Sequence, residues 1–294
     1  MPEAKDDLKR EKVRIVEISK IKDFPDHPFQ VKDDESMVQL VNSIRMNGVL
    51  NPVIARKVDE EHYELISGHR RKHACILLGI DRIPLIGREL TKEEAIIEMV
   101  DSNLQREHIL PSEKARAYKM KMAAMKNQGK RTDLTSTPMA GKSKERETAS
   151  IIGSANGESG DQVRRYIRLN ELTDELLEFV DEGKIGMRPA VELSYLQEDE
   201  MRDLVDFIDD EEVFPSHAQT IRMKALSKEG KLDTEAIRDI MLEEKPNQKA
   251  KIKIPLERIE KYFPSRTSQQ QMEDTIVKAL AMDRQRQKEN RDAR

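Results

Sequence analysis

Tyr63-Glu64-Leu65-Ile66-Ser67-Gly68-His69-Arg70-Arg71 is the stretch on which the reading of this chain turns. Its first four residues have the character of a strand, and the run after Gly68 reads as a helix ending near Gly79. A glycine at a strand-to-helix turn lets backbone N–H groups approach an anion closely, and the helix N-terminus adds positive potential. Arg70 and Arg71 bring planar, permanently charged forks suited to phosphate. Further on, Asn103-Leu104-Gln105-Arg106 offers amide and guanidinium donors that could close over the same ligand. The residues alone say phosphate site, and a solvated helix start that carries Gly-x-Arg-Arg by chance has equal weight.

Working outward, Met37, Leu40, Val41 and Ile44 fall at i, i+3, i+4 and i+7, the core face of a helix that Gly48 can end. Residues 49–56 and 63–67 read as strands joined by a turn at 58–62, and 83–88 as another short strand. Thr91 with Glu94 predicts a capping box ahead of Ala95, Ile96, Met99 and Val100. Ser112 caps a long helix bearing Ala115, Tyr118, Met122 and Met125, with Gly129 as a stop. Residues 1–12 are charged and lack apolar periodicity, which predicts a disordered tail before an α+β domain at 13–128.

Periodicity breaks over 129–146, where Lys130, Arg131, Lys142, Lys144 and Arg146 outnumber Asp133 and Glu145; this is expected to be a basic linker, solvated or resting on DNA phosphates. An all-α domain follows over 147–245. Thr148–Ala155, the turn Asn156-Gly157-Glu158 and a helix at 162–171 capped by Ser159 form a helix-turn-helix candidate, with a plain helical hairpin as the alternative. Its register stays open, because pairing Ala149 with Gly153 leaves the turn four residues too long. Ser159, Asp161, Gln162 and Arg165 lie where side chains reach base edges, Gln pairing with adenine and Arg with guanine. Arg164 and Arg168 suit phosphate, or ion pairs with Asp161 or Glu171. A small helical unit at 249–294 carries Met272, Ile276, Ala279 and Leu280 as a narrow stripe, for packing on a second copy or back on its own chain.

A length of 294 residues implies two or three domains, and 37% charged with 4% aromatic residues implies small Leu/Ile/Met-packed units. The net charge of −4 excludes a uniformly basic coat but not a local basic face. One cysteine, Cys75, excludes an intramolecular disulfide and reads as core. The chain has no apolar run long enough for a membrane span and no signal-peptide pattern, so a cytoplasmic protein is expected.

The order of these pieces resembles the ParB family of chromosome and plasmid partition proteins. The carriers are Leu40–Ile44 with Gly48–Val53, Tyr63–Arg71 with Ala74, Ile83-Pro84, and Asn103–Glu107 with Pro111 and Glu113; Val163–Leu169 resembles the family's DNA-binding segment. The resemblance implies an α+β ParB/sulfiredoxin-like domain followed by a helix-turn-helix domain. It implies CTP with Mg2+ bound through Gly68, His69, Arg70, Arg71, Asn103, Gln105 and Arg106, and closure of a clamp around DNA. It further implies a homodimer on a palindromic duplex site, a ParA-type ATPase partner, and association with nucleoid or plasmid.

Three departures bear on this. The family's Pro-Arg ahead of the first core helix corresponds to His27-Pro28-Phe29-Gln30, its Gly-Glu-Arg-Arg to Gly68-His69-Arg70-Arg71, and the Glu before Asn-Leu-Gln-Arg to Ser102. Asp101 and Asn103 are the remaining candidates for the metal, and weak CTP hydrolysis is left open. His69 reads equally as a phosphate donor or as an ordinary histidine. The serious alternative is a transcriptional regulator of a plasmid or mobile element with a degenerate nucleotide site. Sulfiredoxin chemistry needs a thiolate in the turn at 67–70, which has none, and no carboxylate stands out as the base of a kinase on the same fold.

Overall fold

The computed structural model describes residues 12–106, 108–132, 141–243, 259–264, 267–268, 271–272, 274–280 and 282. Residues up to Glu243 form one compact unit and 244–294 a second. In the first, strands β1 (Val13–Glu17), β2 (Ile21–Asp23), β3 (Val53–Lys57), β4 (Tyr63–Ser67) and β5 (Arg82–Arg88) form a mixed sheet in the order β1-β5-β3-β4-β2. Outer strand β1 runs antiparallel to β5, and β2 parallel to β4. Neither outer strand was expected from the sequence. Val13 and Ile15 are solvent-exposed, which blurs the alternation of β1, and β2 is only three residues long.

Helix α1 (Glu35–Asn47) is capped by Asp34, whose carboxylate accepts from Met37 N. Its Met37 and Ile44 join Val53, Ala55, Tyr63, Leu65, Ala74, Cys75, Ile83 and Leu85 in one core, which α2 (His69–Leu77) closes. Cys75 is therefore buried core, as its surroundings predict. On a separate cluster, Phe24 and Ile66 meet Ala95 and Met99 of α3 (Lys92–Leu104), which begins with the Thr91/Glu94 capping box.

Helix α4 (Pro111–Thr132) is shared by what the sequence divides into two domains. One side of it packs on α3 through Ala117; another, through Tyr118, packs on α5 (Gly141–Ala155) and α6 (Gly160–Arg168) with Ala149, Ile152 and Val163. The expected linker at 129–146 shrinks accordingly: α4 continues through Thr132 and α5 begins at Gly141, while 133–140 lie outside the described residues. The expected tail at 1–12 lies outside them as well, except for Lys12.

Three consecutive residues fix the first turn of α4. Ser112 donates from N and Oγ to the Asp181 carboxylate at 2.9 and 2.5 Å, Glu113 accepts from Gln30 N at 2.9 Å, and Lys114 donates to Glu158 at 2.7 Å. Beyond α6, a 3-10 turn (Leu169–Glu171) leads to α7 (Asp174–Asp181), α8 (Met187–Leu193), α9 (Glu198–Glu211), α10 (His217–Lys228) and α11 (Thr234–Leu242) around their own core of Leu176, Leu193, Leu204, Met223 and Ile237. In the second unit, Val277, Leu280 and Met282 are exposed.

Candidate functional sites

Gly68 is the pivot between β4 and α2. Its φ is +105°, and a Cβ there would sit 2.7 Å from Val53 Cγ1, so neither conformation nor space admits a side chain. Among the described residues no side chain caps α2, which leaves its first N–H groups without the usual partner. Helix N-termini in that state attract anions.

The two arginines that follow part company. Arg70 reaches α1, donating to Ser36 Oγ at 2.6 Å with Asp34 at 3.8 Å. Arg71 turns the other way and donates to the carbonyls of Asn51 and Pro52 at 2.6 and 2.7 Å. Burial lowers its pKa, and its contacts are those of a brace holding the entry to β3. Arg106 lies 5.6 Å from the Phe29 ring centroid and is close enough to Arg70 and Glu113 to feel both charges; burial is the main cause of its lowered pKa. Arg70 and Arg106 lie within electrostatic reach of each other, and Arg106 of His69, so the two cations gather near the α2 N-terminus.

His69 does not face outward as a donor to phosphate. Its ring stacks on His27, centroids 3.7 Å apart and planes at 37°. His27 Nδ1 donates to Phe29 O at 2.7 Å, and the Nε2 atoms of both rings are buried with no partner among the described residues. Burial, with the neighbouring His27, pushes the His69 pKa down to about 3, and burial lowers that of His27 too. Both rings are neutral at pH 7. This pairing links positions 42 residues apart and has no signature in local spacing.

The expected metal ligands are already engaged. Lys121, itself buried, ion-pairs with Asp101, and Asn103 is buried with its amide donating to Met99 O at 2.8 Å. Among the described residues no three His, Cys, Asp or Glu side chains converge on a common point. As placed, Asp101 and Asn103 do not fit Mg2+. Gln105 closes the C-terminus of α3 and is exposed.

In the second candidate site, α5 and α6 cross tightly because Gly153 and Gly160 face each other's backbone. A Cβ on Gly153 would lie 2.5 Å from Glu158 O, and one on Gly160 2.7 Å from Ser150 Oγ. Ala149, Gly153 and Val163 all point inward, and the additional residues that left the register open form a last turn of α5 and the bend at Gly157, φ +70°. Ser159 caps α6 by accepting from Gln162 N at 3.1 Å, so its oxygen is partly occupied. The helix itself stops at Arg168, three residues short of the expected end.

Asp161 and Arg165 are exposed, while Arg164 ion-pairs with Asp161. Arg165 has no ion-pair or hydrogen-bond partner among the described residues and is the freest base-reading candidate. Arg168 pairs with neither Asp161 nor Glu171: it donates to Ser194 Oγ at 3.0 Å and Ser194 O at 2.6 Å.

Residues 2–104 match the family described as ParB N-terminal domain. The chain is 37% identical over 117 residues to a nucleoid occlusion protein of Listeria innocua, covering 39% of this chain and 41% of that protein. It is 31% identical over 185 residues to stage 0 sporulation protein J of Bacillus subtilis, covering 62% and 57%. The chain thus spans about two-fifths to three-fifths of these relatives. Among solved structures, a C-terminally truncated chromosome-partitioning protein ParB from Caulobacter crescentus, complexed with CTP-gamma-S, is 25% identical with a TM-score of 0.30, covering 65% of this chain and 96% of that one.

Proposed function

We propose that this chain, whose residues 2–104 match the ParB N-terminal domain, is a partition protein that binds CTP at the α2 N-terminus and reads duplex DNA with α6. The observation that carries the nucleotide half is the uncapped α2 N-terminus behind Gly68, flanked by the guanidinium groups of Arg70 and Arg106. Fixed backbone donors and two guanidinium groups suit phosphate oxygens. The DNA half rests on the capped, tightly crossed α5–α6 pair with Arg165 exposed and without a partner among the described residues. Association as a homodimer on a palindromic site is supported by the exposed Val277 and Leu280 of the second unit. A ParA-type ATPase partner and location on nucleoid or plasmid follow from the same reading.

Calorimetry with CTP, ATP, GTP and UTP tests the nucleotide half. Selective CTP binding supports a nucleotide-gated clamp, and silence with all four overturns it. A second reading, a DNA-binding regulator with a degenerate nucleotide site, is favoured by the neutral His27–His69 stack and by the engaged Asp101. For the DNA half, Arg165→Ala should erase preference for the target over random duplex; unchanged preference would remove α6 as the reader.

A further inference from the structure

Arg168 has a second relationship, which extends the DNA-reading face beyond α6. Its guanidinium carbon lies 4.1 Å from the centroid of the Tyr195 ring, and Lys224 Nζ from α10 lies 3.7 Å from the same centroid. Two cations over one ring raise the local positive potential. Only one carboxylate answers them: Glu192 accepts from Lys224 at 2.7 Å, whereas Arg168 has only the Ser194 oxygens among the described residues. The cluster is open to solvent, with Tyr195 45% exposed and the Lys224 side chain 37%.

Its position follows from helix geometry. Asp161, Arg165 and Arg168 stand at i, i+4 and i+7, one stripe along α6, while Val163 on the other side is fully buried. The stripe runs from the capped start of the helix and ends on Tyr195. Side chains at the start of a reading helix meet base edges, and those at its far end meet the sugar-phosphate wall of the groove. An excess positive charge with a phenolic hydroxyl is the chemistry that holds a phosphate oxygen there.

We propose that Tyr195 and Lys224, assembled on Arg168, form a backbone-phosphate contact that sets the register of α6 on duplex DNA. The inference rests on the DNA-reading role of α6. In it Arg168 is a positioning residue: bound to Ser194 and stacked on Tyr195, it orients the ring and Lys224 rather than reading a base.

The test is the salt dependence of duplex binding by the full chain, measured between 50 and 200 mM salt on random and target duplexes. Each phosphate contact adds about 0.9 to the slope of log affinity against log salt. Lys224→Gln should lower the slope by about one and weaken both duplexes by a similar factor. Tyr195→Ala, which removes no charge, should weaken both duplexes by a similar factor with a smaller change of slope, and Tyr195→Phe should keep the slope. Lys231→Gln, a surface lysine paired with Glu229, should change nothing. An unchanged slope in Lys224→Gln, or a loss confined to the target duplex, overturns the phosphate contact while leaving α6 as reader. Failure of the unaltered chain to bind duplex DNA overturns both.

Discussion

Lys114 and Tyr118, one turn apart on α4, both end on Glu158 in the turn before the reading helix, at 2.7 and 3.1 Å. The pair is sheltered, with Lys114 and Glu158 side chains 24% and 19% exposed. Burial and the neighbouring Glu158 carboxylate push the Tyr118 pKa well above its ordinary value, so the hydroxyl stays a donor. A double-mutant cycle of Lys114→Ala and Glu158→Ala, read by urea denaturation, should give a coupling of about 1–2 kcal/mol. Additive losses would mean that the contact contributes nothing of its own.

The stacked imidazoles predict a pH dependence of stability. A base whose folded pKa is depressed is protonated more readily in the unfolded chain, so stability falls as pH drops below the unfolded value of about 6.5 and continues to fall toward about 3 for His69. The loss approaches about 1.4 kcal/mol per pH unit for each imidazole at most. Denaturation midpoints at pH 7 and pH 5 should differ markedly in the natural chain and less in His69→Phe, which keeps a ring and leaves His27 as the only imidazole of the pair to titrate.

Arg70→Ala and Arg71→Ala should separate. Loss of Arg71 deprives two carbonyls of a charged donor and should lower stability by roughly 1–3 kcal/mol. Loss of Arg70 should spare stability and weaken triphosphate binding in calorimetry. Equal losses of stability in the two variants would contradict the division of roles.

Gly153→Ala places a methyl 2.5 Å from Glu158 O and should cost about 1–3 kcal/mol through displacement of the α5–α6 crossing. DNA preference should fall in this variant while nucleotide affinity holds. A stability and DNA affinity matching those of the natural chain would show that the crossing relaxes freely.

What could be read from the sequence was local. The α1 core face, the Thr91/Glu94 box, Gly68 and the Ser159 cap each depend on spacings of a few residues, and each stands in the structure. What could not be read depends on partners brought together by the fold. Arg71 looked like a phosphate ligand because nothing near it in sequence announces the Asn51 and Pro52 carbonyls. Arg168 was assigned to phosphate or to Glu171, but Ser194 lies 26 residues away and Lys119 takes Glu171 at 3.8 Å. The β1 strand was missed because an outer strand with exposed Val13 and Ile15 lacks the burial contrast that produces alternation.

The first turn of α4 carries a mechanical consequence. Ser112, Glu113 and Lys114 point about 100° apart around the helix axis, and each is fastened to a different segment: Asp181, Gln30 and Glu158. A small axial rotation cannot improve one attachment without straining the other two. The turn therefore ties the segments at Gln30, Asp181 and Glu158 to one helix end, so that a rotation of α4 bears on all three.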